Sequence, residues 1–587
     1  MNFIGIDLGT SNTVVSFKKG EKVETILFDD GSRLLPSVVS VTKNKTLLIG
    51  NSALSKKKSN PENTFFSTKR FIGRRSSNVK LKEYAELPYK VDVSQELVGL
   101  YSSNLKKRFE IHEIAAQILI KVKESAEKYI GTNVDKCVIS VPAYFDNNQR
   151  IATKQAAEIA GLEVISLVNE PTAALLAFLN EGSYQGNYIV FDLGGGTFDI
   201  SLIDADIGIE KKSFFEVKAT KGDSKLGGDD FNYLILQHFV EEIKKKLPNT
   251  KFDEKLLSYL REESEKLKKQ LSVEEYVEVD LQNLPQKNKS VLDLQMTFTR
   301  KDFENICSDL FSKIKNLIKK FINENISVDE ISNVILVGGS SRMKKFAEIV
   351  KELTNKEPLV SLNPDEIVSY GCCQYALIRE NKEPSTFISD VTPLSLGTGI
   401  IDDVNSVIIP ANSAVPCSRT EVYTTVYDDQ EAIDVDVFQG ERQIASENIL
   451  LGNFELRGIQ RAKRGVPIIE ITFTIDLDGI LHCEAEDVKT KSKKSIFISN
   501  SFEISKEEIS LLREEALKFF NSDKEFVNNS LIKRYSAELK PYRNQSSVAE
   551  LLKISNNYLE GISNINISKE KLINKLQEKL FQYQKKL

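Results

Sequence analysis

Three aspartates flank two short glycine-bearing segments. Asp7 opens Asp7-Leu8-Gly9-Thr10-Ser11-Asn12, and Asp192 and Asp199 bracket Asp192-Leu193-Gly194-Gly195-Gly196-Thr197-Phe198-Asp199. Each segment follows an apolar run, Phe3-Ile4-Gly5-Ile6 or Tyr188-Ile189-Val190-Phe191. Each leads into another, Thr13-Val14-Val15-Ser16-Phe17 or Ile200-Ser201-Leu202-Ile203. The pattern predicts strand, tight turn and strand in both places. Glycine lets the backbone turn sharply and approach a ligand with no Cβ between them. Successive N–H groups in such a turn form a concave nest for anionic oxygens. An aspartate beside that nest repels a bare phosphate, so the two together call for a cation such as Mg²⁺. Two such loops facing each other would grip a polyphosphate from both sides.

One Asp-Leu-Gly-Thr is a weak signal, because an ordinary hairpin turn explains it. Two copies in the same order are a stronger one. The chain has no Gly-x-x-x-x-Gly-Lys-Ser/Thr and so is no P-loop protein. Gly194-Gly195-Gly196 enters a strand rather than a helix, unlike the dinucleotide fingerprint. A third glycine turn, Gly338-Gly339-Ser340-Ser341-Arg342, follows the strand-like Val334-Ile335-Leu336-Val337 and opens a helix. That is a place for a phosphate, or for the sugar and base of a nucleotide.

The elements that must hold these turns alternate over residues 1–380, as in an α/β protein. Lys136–Val141 reads as a strand. Ile111–Tyr129, Gln149–Ala160, Phe231–Lys246, Lys255–Leu271 and Arg300–Asn323 read as helices. Around Glu383–Asp390 there are few structure formers, and this stretch reads as a linker. Residues 391–500 look all-β: Ala432–Phe438 and Ile469–Ile475 alternate apolar and polar, with a turn at Asp478-Gly479. From Ser505 the chain turns helical, with a capping box at Ser505-Lys506-Glu507-Glu508 and an apolar stripe at Ile509, Leu512, Ala516 and Phe519. The last stretch reads as a helical bundle broken at Pro541.

Composition narrows the class. A chain of 587 residues should hold three or four domains. Its net charge of −5 argues against nucleic acid as the main partner. No apolar run reaches the length of a membrane span, about 18 residues. Met1 stands directly before the first strand, so no signal peptide and a cytoplasmic location are expected. The six cysteines form no C-x-x-C, and Cys372 and Cys373 are expected in the core. The three histidines are scattered and carry no catalytic pattern.

Together these segments resemble the DnaK family, the 70-kilodalton heat-shock chaperones, over nearly the whole chain. The matching motifs include Gly5–Thr10, Val141-Pro142-Ala143-Tyr144-Phe145, Asn169-Glu170-Pro171-Thr172-Ala173-Ala174 and Asp192–Asp199. Further along come Leu226-Gly227-Gly228-Asp229-Asp230-Phe231, Gly338–Arg342, Asp390–Gly397 and Gln439-Gly440-Glu441-Arg442. The resemblance implies an actin-like α/β ATPase domain over 1–382, a linker at 383–392, a β-sandwich peptide-binding domain over 393–502 and an α-helical lid over 503–587. It implies ATP hydrolysis to ADP with Mg²⁺, coupled to the binding and release of extended client peptides.

Carried over by residue, Thr10, Ser11 and Asn12 line one phosphate loop, and Gly194, Gly195, Gly196 and Thr197 the other. Lys69 contacts the γ-phosphate and the attacking water. Asp7, Asp192, Asp199 and Glu170 surround that water and the Mg²⁺, with Asp7 and Asp192 holding the ion through water. Glu265, Lys268, Lys269 and Ser272 match one side of the adenosine site; Gly338, Gly339, Ser340, Arg342 and Asp365 match the other. Pro142, Arg150 and Asp390 match the relay between domains. Ile400, Ile401, Tyr423, Val426, Ile433, Val435 and Ile469 match the peptide groove. Implied partners are a J-domain co-chaperone and a nucleotide exchange factor. Taken singly, Lys69 would read as a surface lysine, Glu170 as a helix-start carboxylate and each groove residue as core.

Several departures stand out. Thr386-Phe387-Ile388-Ser389 is less apolar than the leucine-rich linker of the family, so interdomain coupling is expected to be weak. Ser166 stands where an arginine often helps J-domain partners dock. Thr398 replaces an aliphatic residue of the pocket, and Ile401-Asp402-Asp403-Val404 replaces a Met-Gly-Gly stretch. Ala219–Phe231 and Phe454–Ile459 look closer to HscA, which serves iron–sulfur cluster assembly and would add a scaffold protein as partner. Other classes fit less well. An actin-like regulatory ATPase has no use for residues 391–587, a sugar kinase needs a free catalytic aspartate over a sugar pocket, and a passive peptide-binding module would lack the cycle.

Overall fold

The computed structural model describes residues 3–20, 22–79, 84, 87–179, 185–207, 213–287, 290–359, 363–380, 386–497, 506–560 and 567–584. Both predicted hairpins form. Phe3–Leu8 pairs antiparallel with Asn12–Lys19, and Gly186–Leu193 with Phe198–Ile207. Parallel strands extend each hairpin on its inner side: Lys136–Val141 and then Glu163–Asn169 beside the first, Ile331–Val337 beside the second. The two sheets thus repeat one plan, and strands covered on both faces read as the continuous apolar runs seen in the sequence.

Helices Glu170–Leu179 and Ile367–Glu380 share one core with residues of both sheets, including Val138 and Val168 from the first and Tyr188, Val190 and Ile335 from the second. They cross closely: a Cβ on Gly371 would lie 1.7 Å from the Ala173 carbonyl oxygen, so only glycine fits there. Cys372 and Cys373 are buried in this core, as their spacing suggested. The run read as one helix from Arg300 breaks in two at Cys307, into Arg300–Ile306 and Ser308–Asn325.

The stretch read as a structureless linker is different in the fold. Thr386–Val391 is a strand that adds to the edge of the second sheet, parallel to Ser213–Asp223. Thr386, Phe387, Ile388 and Val391 favour a strand, and the open sheet edge offers them backbone partners that the sequence alone does not reveal. The strand continues into a pair with Ala414–Val415, so one element belongs to both halves of the molecule.

Beyond it lie two four-stranded antiparallel sheets. Val404–Ile409, Leu396–Ile400, Ala432–Gln439 and Ile449–Arg457 form one; Cys417–Tyr423, Ile469–Ile475, Leu481–Asp487 and Lys493–Phe497 form the other. Their inward residues make a single core that includes Leu396, Val435, Leu451, Ile471 and Phe473. The alternation in Ile469–Ile475 is realised in full, with every second residue buried.

Helices Lys506–Leu539, Ser546–Leu559 and Lys569–Gln584 close a bundle around Ile532, Leu539, Val548, Leu551, Leu572 and Leu576. Pro541 sits in a short 3₁₀ turn between the first two. The first helix begins outside that bundle. Ala516 is buried in the core of the first α/β lobe, with Ile509 and Leu512 packed beside it, and the helix lies on Ile111–Ile130 and Asn147–Ile159. Lys107 donates to Glu515 at 2.6 Å across this contact. The capping residue Ser505, the side chain of Phe519 and the boundaries proposed at 382–383 and 502–503 lie outside what is described. Among the described residues, no helix is long and apolar enough to cross a membrane.

Candidate functional site

Three glycine turns converge on a cleft of about 600 Å³ between the sheets. Its lining takes in Asp7, Thr10, Ser11 and Asn12 from the first turn, and Asp192, Gly194, Gly195 and Thr197 from the second. Gly338, Gly339, Ser340 and Arg342 come from the third. The first two loops face each other directly. A Cβ on Gly195 would lie 2.2 Å from Ser11 Oγ, and one on Gly196 would lie 2.7 Å from Thr10 Oγ1. Glycine is needed here for close approach, since neither residue has a positive φ.

Lys69 reaches the cleft from a short 3₁₀ turn, Thr68–Arg70, and is buried. Its Nζ donates to Glu170 Oε1 at 2.7 Å. Glu170 begins the helix that follows strand Glu163–Asn169, so sheet geometry fixes its position. Around this ion pair stand three buried carboxyls. Asp7 is pushed up to about 7, by burial first and then by the Glu170 charge. Asp199 is also pushed up to about 7, and Asp192 is raised well above its usual range, in each case by burial and then Glu170. Ser140 Oγ donates to Asp7 at 3.0 Å, and the Tyr144 amide donates to Asp199 at 3.1 Å. The second oxygen of Asp199 is buried without a hydrogen-bond partner.

This set fits a hydrated divalent cation. Asp7, Asp192, Asp199 and Glu170 cluster around Lys69, and a positive ion would relieve the charge that burial resists. Among the described residues, no three His, Cys, Asp or Glu side chains converge into an all-protein cage. Mg²⁺ ordinarily keeps several waters and takes only one or two carboxylates.

The far end of the cleft is lined by Glu265, Lys268, Lys269 and Ser272 on one wall and by Arg342 and Asp365 on the other. Lys269 pairs with Glu265 at 2.6 Å and Arg342 with Asp365 at 2.7 Å. Buried Lys268 donates to the Gly228 carbonyl at 2.8 Å, and Ser272 Oγ donates to the Lys268 carbonyl at 3.0 Å. Of the nucleotide-site residues, Gly196 and Asp199 alone do not line the cleft; they sit behind it. Asp229, Asn232 and Met343 line it without having been singled out. Asp229 accepts from Ser67 at 2.6 Å and Asp230 pairs with Arg70, so the start of helix Gly228–Lys246 ties the second lobe to the first. The signal was present in Leu226-Gly227-Gly228-Asp229-Asp230-Phe231, a motif noted for its sequence alone.

Two of the relay residues, Arg150 and Asp390, meet the β half. Pro142 follows strand Lys136–Val141 and its carbonyl accepts from Phe145 N at 3.1 Å. Arg150 donates to Asn169 at 2.7 Å and to the Asp478 carbonyl at 3.3 Å. Asp390 accepts from Thr172 Oγ1 at 3.2 Å. Asn147, unmarked in the sequence reading, spans the same junction: its amide N donates to Gln439, and its side chain accepts from Leu481 N at 2.7 Å.

The seven groove residues do not form one exposed surface. Val435 and Ile469 are core residues of the two sheets, 1% and 0% exposed. Tyr423 and Ile433 are half-buried beside them, and Val426 is half-buried with its amide bonded to Gln430. Ile400 and Ile401 are exposed, at 43% and 63%. Thr398, in the aliphatic position, is buried and donates its hydroxyl to the Asp436 carbonyl. Where the family has Gly-Gly, Asp402 and Asp403 keep a left-handed backbone, with φ of 62° and 58°. Aspartate visits that region more readily than most residues, and here a distant partner holds Asp403, which accepts from the Ser446 amide at 2.9 Å.

Comparison with known proteins decides the family. The sequence profile described as "Hsp70 protein" matches residues 3–587. The chain belongs to the Hsp70 family. It is 41% identical over 525 residues to a "Chaperone protein dnaK" of Emiliania huxleyi, covering 89% of this chain and 83% of that one. It is 40% identical over 551 residues to the protein of the same name from Guillardia theta, covering 93% and 87%. Identity to "Heat shock 70 kDa protein 7, chloroplastic" of Arabidopsis thaliana is 39% over 551 residues, covering 93% and 76%. Membership of the Hsp70 family supports chaperone function and ATPase activity for this chain.

Proposed function

We propose that this Hsp70 chain is an ATP-driven chaperone of the DnaK type, binding and releasing extended apolar segments of client proteins as ATP is hydrolysed to ADP. The observation that carries the reading is the cleft itself: two facing glycine loops, a buried Lys69–Glu170 pair and two raised carboxyls, Asp7 and Asp192, in its lining, with the raised carboxyl of Asp199 behind them.

Phosphoryl transfer asks a protein for positioning and charge neutralisation more than for covalent chemistry. The loop amides around Thr10–Asn12 and Gly194–Thr197 hold the phosphates. Lys69 stabilises charge at the γ-phosphate and orients water, and Glu170 fixes the lysine. Asp7 and Asp192 would hold a hydrated Mg²⁺, which would supply the positive charge that the phosphates need. Asp199, with an unpartnered oxygen, accepts a proton or a hydrogen bond from water. Glu265, Lys268, Ser272 and Arg342 bracket the adenosine.

Client binding belongs to the β half. Val404–Ile409 is an edge strand, and Ile400, Ile401, Val404 and Val407 put exposed apolar surface beside it. An extended segment gains main-chain hydrogen bonds at such an edge and seats apolar side chains on its flank. One buried leucine is worth roughly 1.5–3 kcal/mol, which suits binding that must be reversed. Helix Lys506–Leu539 packs on the first lobe, which suits a cycle in which ATP holds the client-binding edge open. A J-domain protein and an exchange factor complete the reading as partners. The relatives named above carry general chaperone names, and the HscA-like specialisation rests on two short segments alone, so the general chaperone is the form proposed.

Measuring ATP turnover with and without an apolar peptide tests this reading. Peptide should raise the rate. A rate that peptide does not change favours an uncoupled ATPase, and no turnover at all favours a passive peptide-binding module.

A further inference from the structure

We propose that Phe214 and Phe387 form a clasp that holds the linker strand in the docked position, replacing the apolar surface that this chain's linker lacks. The two rings stack with centroids 5.2 Å apart and planes 12° from parallel. They sit opposite each other in the parallel ladder, where Phe214 pairs with Phe387, Phe215 with Ile388 and Glu216 with Ser389.

Strand alternation gives these pairs different work. Phe215 is 7% exposed and buried in the core that unites the two sheets, and Ile388 packs on that same core. Phe214 and Phe387 project from the opposite face and remain 45% and 43% exposed. The strand therefore commits two aliphatic side chains inward, Ile388 and Val391, and one ring outward. Ser389 and Thr386 add little apolar burial, so the outward ring needs a partner of its own. Phe214 supplies it from the sheet. When the strand leaves the edge, both rings face water, so the stack favours the docked state alone. Stacked aromatic pairs across neighbouring strands stabilise beyond their buried area, enough to shift a docked-to-released equilibrium about two- to tenfold.

The clasp bears on the weak coupling expected from Thr386-Phe387-Ile388-Ser389. A linker with few apolar residues can still dock firmly when the sheet edge carries a matching ring. It rests on the chaperone reading for its consequence, since a docked linker matters only if the two halves communicate. Phe214 and Phe387 touch neither the cleft nor the client-binding edge, so they act by positioning.

The test is backbone hydrogen exchange of residues 386–391 in the full chain with Mg·ATP, with rates corrected for each sequence's intrinsic exchange. Phe214 is too exposed for Phe214→Ala to hollow the core, so the variant should fold, and linker exchange should rise about two- to tenfold. Phe387→Ala should do the same. The double variant should be no faster than the faster single one, because each change alone already removes the stack. Phe214→Tyr should keep the parental rate. Parental exchange in Phe214→Ala, or single effects that simply add, would overturn the clasp. Peptide affinity of the parent in ATP and in ADP, measured alongside, judges the chaperone reading separately: no difference there counts against coupling, while the exchange cycle still decides the clasp.

Discussion

Ser166 Oγ donates to Asp478 Oδ1 at 2.7 Å, joining the parallel sheet of the first lobe to a turn in the second β layer. The same carboxylate accepts from Leu167 N at 3.1 Å and pairs with Lys154 at 3.0 Å. Arg150 meets the Asp478 carbonyl from below. A serine in an arginine position is thus an interdomain contact here. Asp478→Ala should loosen the junction and, under the proposed cycle, weaken the effect of ATP on peptide affinity. Ser166→Ala should do so less, because two donors to the carboxylate remain; one neutral hydrogen bond is worth about 0.5–1.5 kcal/mol. Peptide titrations in ATP for both variants check the order, and an effect of Ser166→Ala equal to that of Asp478→Ala would contradict it.

Lys69→Ala should lower ATP turnover by about two to three orders of magnitude while leaving ATP affinity within a few-fold. The lysine acts on the γ-phosphate, whereas the loops supply most of the grip. Because Lys69 and Glu170 are a buried pair, losing one partner leaves a stranded charge and costs stability. Thermal unfolding should therefore accompany the kinetics, and Lys69→Ala with Glu170→Gln should regain melting temperature without regaining turnover.

Gly195→Val should impair nucleotide binding by at least about tenfold, an amount a misplaced phosphate contact readily costs. The obstacle is contact with Ser11 rather than backbone strain, since Gly195 has an ordinary φ. Combining Gly195→Ala with Ser11→Gly should then bind nucleotide better than Gly195→Ala alone. Equal affinities would show that the two loops do not meet as described.

Asp7 and Asp199, both pushed up to about 7, give the site a pH dependence. Their folded values lie above the unfolded 3.8, so the nucleotide-free fold holds extra protons. The associated stability is full below pH 3.8 and is lost as pH rises through about 7. Binding of the cation with nucleotide must expel those protons. Mg·ADP affinity should therefore rise from pH 6 to pH 8, and calorimetry in buffers of different ionisation enthalpy should show proton release. Proton uptake would contradict the placement of the cation beside these carboxyls.

The β half shows where sequence reading stops. The strand Ile469–Ile475 was legible to the residue because alternation fixes its register and its buried face. The same alternation places Val435 and Ile469 in the core, so Val435→Phe would overpack two sheets and not merely fill a groove, at roughly 1–3 kcal/mol. Ile401→Asp is the better probe: at 63% exposure it should weaken peptide binding and leave the melting temperature unchanged. Both glycine loops were legible because their motifs are local, whereas Lys69 was placed only through the family resemblance. Asp229, Asn147 and the strand Thr386–Val391 were not, since each takes its role from a partner far away in sequence. The stripe Ile509, Leu512 and Ala516 was legible as one helix face, but nothing in it says that the first lobe, rather than the bundle, covers it.

The central claim is that nucleotide state governs client binding, and peptide affinity in ATP against ADP tests it most directly. Using Lys69→Ala to prevent turnover, ATP should weaken binding of an apolar peptide about five- to tenfold, toward the low end of common allosteric couplings. Asp390→Asn, which disturbs the Thr172–Asp390 contact near the end of the shared strand, should shrink that ratio. By linkage, peptide should weaken ATP affinity by the same factor as ATP weakens peptide affinity. Equal peptide affinities in ATP and ADP would contradict the cycle proposed for this chain.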